Sequence, residues 1–356
     1  MLNKIIQTCI DKNLNFSVFS LPESNDFEII IENPVQINKS TSGFILHPFQ
    51  VNLQSPVLFI PADYHFQSTN LTTENLNSIQ QIPSQINNHS STNVIETNEN
   101  EYLKNLSVAI SKMKEVNIDK FVFSRIKTVE KPTQLNLTDY LKTLNKTYKS
   151  AYTYLVNHQK SGTWIGATPE TLISWSGDCI STMSLAGTQP ISTQKPIWKI
   201  KEIEEHNYVT NYIEKAFSNS SIDFETQPTE TVKAGTVIHL RTQIKSSKQV
   251  TYKQAINLAS LLHPTPAICG VPLKEARQFI SEIEKHSRKY YTGYLGFIEP
   301  NKKVDFFVNL RCMQVLPNRL ALYLGGGITD KSIAENEWKE TVYKSQTLLN
   351  ALNSKK

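Results

Sequence analysis

Cysteine is scarce in this chain and unpatterned. Cys9, Cys179, Cys269 and Cys312 are scattered without Cys-x-x-Cys spacing, so neither a zinc site nor a disulfide framework is expected, and reduced thiols fit a cytoplasmic protein. Long apolar runs are missing too: nothing approaches the roughly 20 residues of a membrane span. The N-terminal MLNKIIQTCIDKN is too short and too polar for a signal peptide, and no membrane partner is expected. Charge of one sign is in small excess only, 37 Lys and Arg against 32 Asp and Glu, for a net +5. There is no long basic block, and basic residues do not interleave with aromatics as a base-stacking surface requires, so nucleic acid is not expected as a partner. No repeat is apparent. What remains is a globular composition, 39% hydrophobic and 19% charged, over 356 residues. That is enough to bury a large core as one big domain or two ordinary ones.

Along the chain, residues 1–66 read as a helix followed by short strands, the most β-rich being 27–31 and 57–60. From Gln67 to Asn100 Ser, Thr, Asn and Gln dominate, which predicts a flexible loop. Apolar periodicity then predicts helices over Glu101–Val116, Thr138–Tyr148, Trp198–Ser218, Pro272–Lys285 and Glu335–Leu352. Strands are expected over Ile118–Ile126, Tyr152–Asn157, Cys179–Leu185, Thr236–Leu240, Gly293–Ile298 and Asp305–Met313. Two β-like runs flank Pro169-Glu170, and Pro264 and Pro266 stiffen a turn over Leu262–Ala267. A last strand, with Leu320, Leu322 and Leu324 alternating, ends at Gly325-Gly326-Gly327, where missing side chains let something approach the backbone. Helices and strands without strict βαβ alternation predict a mixed α+β domain.

Several polar residues invite a chemical reading, although each has a plainer one. Glu337 and Glu340 are three apart, so their carboxylates leave one helix face, with Lys344 a turn further on. A Glu-to-Lys pair at i,i+4 is also an ordinary surface contact contributing about 0.2–0.5 kcal/mol. Lys120 opens a strand, Glu170 follows a proline, Glu205 belongs to an acidic helix face and His239 lies in a strand. Singly, these are a solvated charge, a turn end, a solvated face and a satisfied histidine.

Their company changes the odds. KFVFSR, IGATPETL, SLAGT, EEHNYV, VIHL, LHPTPAICGVP, SRKYYTGYLGF, VNLRC, GGGIT and ENEWKETVYK occur in this order between about Lys120 and Asn350. Together they resemble the chorismate-utilising enzymes, the isochorismate, salicylate, anthranilate and aminodeoxychorismate synthases. The resemblance implies a single large α+β domain, with antiparallel sheets in a sandwich, helices outside and a central active-site cleft. It makes residues 101–356 the catalytic core and 1–100 a variable N-terminal part of the same domain.

The same resemblance implies roles. Lys120 would be the general base and Glu170 the general acid, while Glu205, Glu337 and Glu340 would hold Mg²⁺. Gly187, Thr188, His239, Ala267, Tyr291, Arg311, Gly327 and Lys344 would meet chorismate and isochorismate. Ala186 stands where the aminating branch carries lysine, which implies water as nucleophile and no glutaminase subunit. Ala267, in LHPTPA, is the form of isochorismate synthases, where salicylate synthase usually has threonine. Isochorismate synthase is therefore the expected activity, for menaquinone or siderophore biosynthesis, in a cytoplasmic monomer. Salicylate synthase is the alternative, with an inactive chorismate-binding protein or a basic nucleic-acid-binding protein as non-enzyme readings. Ser287 departs from the family pattern, in which an acidic residue precedes the arginine.

Overall fold

The alternating and helical patterns become a two-sheet sandwich in the computed structural model, which describes residues 1–86, 94–191, 196–234 and 237–353. The N-terminal part contains α1 (Leu2–Asp11), β1 (Phe16–Ser20), β2 (Glu28–Ile31), β3 (Gly43–His47), β4 (Leu58–Pro61) and β5 (Tyr64–Gln67). After α2 (Thr73–Gln81) and α3 (Glu99–Lys112) come β6 (Lys120–Glu130), α4 (Leu137–Thr147), β7 (Tyr152–His158) and β8 (Gly162–Thr168). They are followed by β9 (Thr171–Trp175), β10 (Ile180–Pro190), α5 (Ile200–Asn219), β11 (Phe224–Thr226) and β12 (Glu230–Ala234). Then come β13 (Val237–Ser246), α6 (Tyr252–Leu262), β14 (Gly270–Val271) and α7 (Leu273–Ile283). The chain closes with β15 (Tyr294–Glu299), β16 (Lys303–Val308), β17 (Cys312–Val315), β18 (Arg319–Ile328) and α8 (Ala334–Asn353).

The first sheet has the order β14-β6-β18-β17-β8-β7-β1-β2-β5, and the second β11-β13-β10-β9-β16-β15-β3-β4, with β12 also on β13. The N-terminal strands thus extend both sheets. Aromatic residues fill the space between them, with Phe19, Tyr152, Trp164, Phe297 and Phe307 in one buried cluster. Tyr152 and Phe307 stack at 4.0 Å across the two sheets. Burying each such side chain contributes roughly 1.5–3 kcal/mol. Helices α1, α2, α4 and α8 cover the outer face of the first sheet, and α5 and α6 that of the second. The fold is the α+β sandwich with outer helices that the motifs implied.

Three local expectations need correction. The polar stretch from Gln67 to Asn100 is not simply a flexible loop. Thr72 and Asn75 form a reciprocal cap, and α2 buries Leu76 and Ile79 against α1, a stripe too narrow to stand out from its polar surroundings. Residues 87–93 of that stretch, and Thr236 of a later expected strand, lie outside the described residues. The expected strand Asp305–Met313 is two strands in different sheets, β16 and β17, broken at 309–311. Finally, β18 does not end at its glycines but continues through them, Gly325, Gly326 and Gly327 pairing with Ser124, Phe123 and Val122 of β6.

Candidate active site

Two places where the chain changes sheets lie side by side and build the floor of a central cleft. Between β8 and β9 the chain leaves the first sheet for the second, and Glu170 sits at that step. Between β16 and β17 it returns, and Arg311 sits there with φ 47°, a left-handed conformation costing about 1–3 kcal/mol for a non-glycine residue. The steps are stitched together. Thr168 Oγ1 donates to Val308 O at 2.6 Å, Val308 N–H to Glu170 O at 2.9 Å, and Ala167 N–H to Arg311 O at 3.1 Å. Fully buried Asn309 anchors the second step, accepting from Tyr154 Oη at 2.6 Å and donating to Tyr290 O at 2.8 Å. This lattice supports the strained Arg311.

Above this floor is a partly open cleft that draws on both sheets and the Ala267–Ile268 turn, with a few polar groups converging among apolar ones as in small-molecule sites. Glu170, Thr188, Glu205, His239, Ala267, Tyr291, Arg311, Gly327 and Lys344 all line it, as the motifs implied. Lys120 and Gly187 join through neighbours, Lys120 by its ion pair with Glu205 and Gly187 by accepting from His239 Nδ1–H at 3.1 Å. Glu337 and Glu340 approach Gly326 and face an adjoining pocket.

Glycines make this crowding possible. A Cβ on Gly327 would run into Glu205 Oε1 and lie 3.1 Å from Lys120 Cε, and one on Gly325 would lie 2.9 Å from Tyr291 Oη. Strand parity adds backbone donors. Val122 N–H is turned to Cys269 O and Ser124 N–H to Glu284, away from β18. Gly327 and Gly325, their register partners, therefore point their N–H groups away from β6, beyond the end of β17. In β10 a bulge with Gly187 at φ 71° re-aims Thr188 towards His239.

The electrostatics divide the groups. Glu170 is buried, and burial lifts its carboxyl to about 8, although Lys120 and Lys344 pull the other way. It is therefore protonated at neutral pH. Burial, with Arg311 and Lys344 nearby, drops His239 to about 3, so the ring is neutral; with Nδ1–H donated to Gly187 O, Nε2 accepts from Arg311 Nη2 at 3.4 Å. Arg311 also donates to Thr347 Oγ1 at 3.1 Å, yet among the described residues it has no ion-pair partner. A buried guanidinium with spare donors beside backbone N–H groups turned away from their sheet can receive an anion.

Each remaining carboxylate is held by a lysine. Lys120 Nζ, fully buried, is 3.0 Å from Glu205 Oε1, an ion pair outside hydrogen-bond angles that leaves the ammonium otherwise unpartnered. Lys344 Nζ is 2.7 Å from Glu340 and donates to Gly325 O at 2.9 Å. Lys201, which the motifs did not flag, is 2.7 Å from Glu337 Oε1. Burial opposes the anionic form of Glu205, but Lys120, Lys201 and Lys344 more than offset it and hold the group low. Burial and neighbouring Glu340 instead raise Glu337. No three of the His, Cys, Asp and Glu side chains among the described residues are grouped closely enough to form a ready-made metal cage. The donors nevertheless fit a hard divalent cation: carboxylates only, converging on adjacent glycines, with Glu340 Oε1 3.3 Å and Glu337 Oε2 3.5 Å from where a Gly326 Cβ would stand.

Sequence reasoning missed Lys201 and Asn309. Lys201 was visible only as an i,i+4 partner of Glu205 on α5, and Asn309 as a polar residue in an apolar run.

Known proteins share this arrangement of sequence and fold. The chain is 28% identical to the vibriobactin-specific isochorismate synthase of Vibrio cholerae over 70% of its own length and 66% of the relative's. It is likewise 28% identical to an isochorismate synthase of Bacillus subtilis over 71% of its length and 67% of the relative's. These alignments thus span about two thirds of the relatives. The menaquinone-specific isochorismate synthase of Escherichia coli superposes with a TM-score of 0.74 at 19% identity, covering 95% of this chain and 88% of that one. The family description "Chorismate binding enzyme" matches residues 57–353, which include both sheet-changing steps and every site residue placed above. The chain belongs to the chorismate-binding enzyme family.

Proposed function

We propose that this protein is an isochorismate synthase, converting chorismate to isochorismate by adding water at C2 and expelling the C4 hydroxyl with allylic shift of the double bonds. The observation that carries this reading is a carboxylic acid kept protonated by burial, Glu170, in one cleft with Arg311 and with Glu205, whose ion-pair partner is Lys120. The reaction needs these parts: a base for the water, an acid for the departing hydroxyl, and countercharge for two carboxylates.

In this mechanism Lys120 reacts as the neutral amine, having given up the proton that pairs it with Glu205, and its Nζ takes the proton from the attacking water while Glu170 gives its proton to the leaving hydroxyl. Arg311, Tyr291 and the N–H groups of Gly325 and Gly327 receive one substrate carboxylate, while neutral His239 holds the guanidinium in place through Nε2. Glu205, Glu337 and Glu340 would hold Mg²⁺, which when bound supplies charge neutralisation for the other carboxylate. Ala186 places no amine in the cleft, which supports water and not ammonia as nucleophile.

Purified protein given chorismate and Mg²⁺ tests the proposal by product chromatography with a coupled pyruvate assay. Isochorismate without pyruvate is expected. Salicylate with equimolar pyruvate would establish the alternative, and no turnover would leave a binding protein. Three variants refine the reading. Glu337→Gln and Glu340→Gln each replace a charged ligand by a neutral amide, and each is expected to shift the Mg²⁺ titration of activity to higher concentration. Parent-like titrations would make that residue an ion-pair partner of its lysine only. Ala267→Thr adds a hydroxyl and a methyl to the cleft wall on a turn stiffened by Pro264 and Pro266. Overpacking of about 1–3 kcal/mol should lower isochorismate formation, with a trace of pyruvate as the side product to look for. Unchanged rate and products would remove Ala267 from substrate discrimination.

A further inference from the structure

We propose that the Lys201 ammonium is a built-in counter-ion of the acidic cluster, and that a divalent cation binds by displacing it; this rests on the reading of Glu205, Glu337 and Glu340 as the metal ligands. Three ammonium groups meet three carboxylates one to one: Lys120 with Glu205, Lys201 with Glu337, and Lys344 with Glu340. The cluster is thus neutral as it stands. A dication entering among these carboxylates competes directly with the ammonium groups already on them, and at least one must yield.

The three lysines are not equally free to leave. Lys120 is fully buried, with its stem against Gly327. Lys344 also donates to Gly325 O, so moving it would orphan a strand carbonyl. Lys201 is the most exposed of the three, with 25% of its side chain accessible, and among the described residues its one hydrogen-bond and ion-pair partner is Glu337. It stands in the first turn of α5 on the wall of an open pocket of about 1220 Å³ shared with Glu337 and Glu340. Swinging into that pocket returns its ammonium to water and leaves the Glu337 carboxylate open to an entering cation. Glu337, nearly buried and beside Glu340, has the opposite problem: without Lys201 it needs another cation. Lys201 would therefore preserve the cluster until metal arrives and set how tightly metal is then held.

The test is calorimetric titration of the full chain, stripped of metal, with Mg²⁺ alone. Lys201→Met should bind Mg²⁺ on the order of tenfold more tightly than the parent. Its metal-free form should melt at a lower temperature, with saturating Mg²⁺ closing the gap. Lys331→Met is the charge control, because Lys331 lines the same pocket but pairs with Glu204. Screening by salt should keep its effect within about twofold. Unchanged or weaker Mg²⁺ binding in Lys201→Met, or equal tightening in Lys331→Met, would overturn the proposal. Mg²⁺ binding that Glu337→Gln leaves intact would instead locate the metal elsewhere and overturn the ligand assignment beneath it.

Discussion

Lys120→Ala is expected to lower kcat by about 10²–10⁴-fold, the usual loss when a positioned base is removed. Lys120 opens β6 with its side chain wholly buried, and the absence of a side chain on Gly327 lets the stem pass beneath Glu205. Its Nζ has no aligned hydrogen-bond acceptor among the described residues, so its donors are not committed to holding the fold. The strand itself is held by pairing with β18 from Phe121 to Glu130 and with β14 at Lys120 and Phe121. The variant should therefore melt cooperatively and still bind chorismate while turning it over poorly. Lys120→Met, which keeps most of the stem volume, should lose as much and so separate the amine from its packing. Near-parent turnover in either variant would remove Lys120 from proton transfer.

Glu170→Gln should cost a similar factor, about 10²–10⁴-fold, and should also change the pH profile. Burial raises the Glu170 carboxyl to about 8, with Lys120 and Lys344 lowering it only in part. The acid form is the active one, so it is present below that value and lost as pH rises through it. For the parent, kcat/KM should hold through neutrality and fall above about pH 8, reporting the free enzyme. Glutamine keeps the shape but has no proton to give, so the residual activity should lack that alkaline limb. A parent-like rate in Glu170→Gln, or an unchanged alkaline limb, would assign the acid to another group.

The order of motifs made the architecture and most of the cleft legible, because helical and strand periods are local. The sheet-changing steps were not legible. Phe306 to Met313 is apolar on both sides of the break, and Arg311 in a left-handed conformation, with Asn309 pinned by Tyr154 and Tyr290, turns one strand into two. Helix α2 hid because two buried residues, Leu76 and Ile79, were all its stripe had. The glycines were read as a place of close approach, but what approaches came only from three dimensions: Tyr291 at Gly325, Glu337 and Glu340 at Gly326, Glu205 and Lys120 at Gly327. Lys201 was hidden for the same reason, since its partner lies 136 residues away on α8. Ser287, a departure from the family pattern, has a neighbour of the missing charge: Glu284, one turn earlier, forms a buried ion pair with Arg288 at 2.6 Å.

The most direct test of the proposed reaction is turnover of chorismate with Mg²⁺ in H₂¹⁸O, with the product separated and its mass measured before any side reaction. The mechanism built on Lys120 and Glu170 predicts isochorismate carrying one ¹⁸O, at the C2 hydroxyl, with no pyruvate released. Isochorismate without label would contradict water attack, and salicylate with pyruvate would contradict the assigned activity.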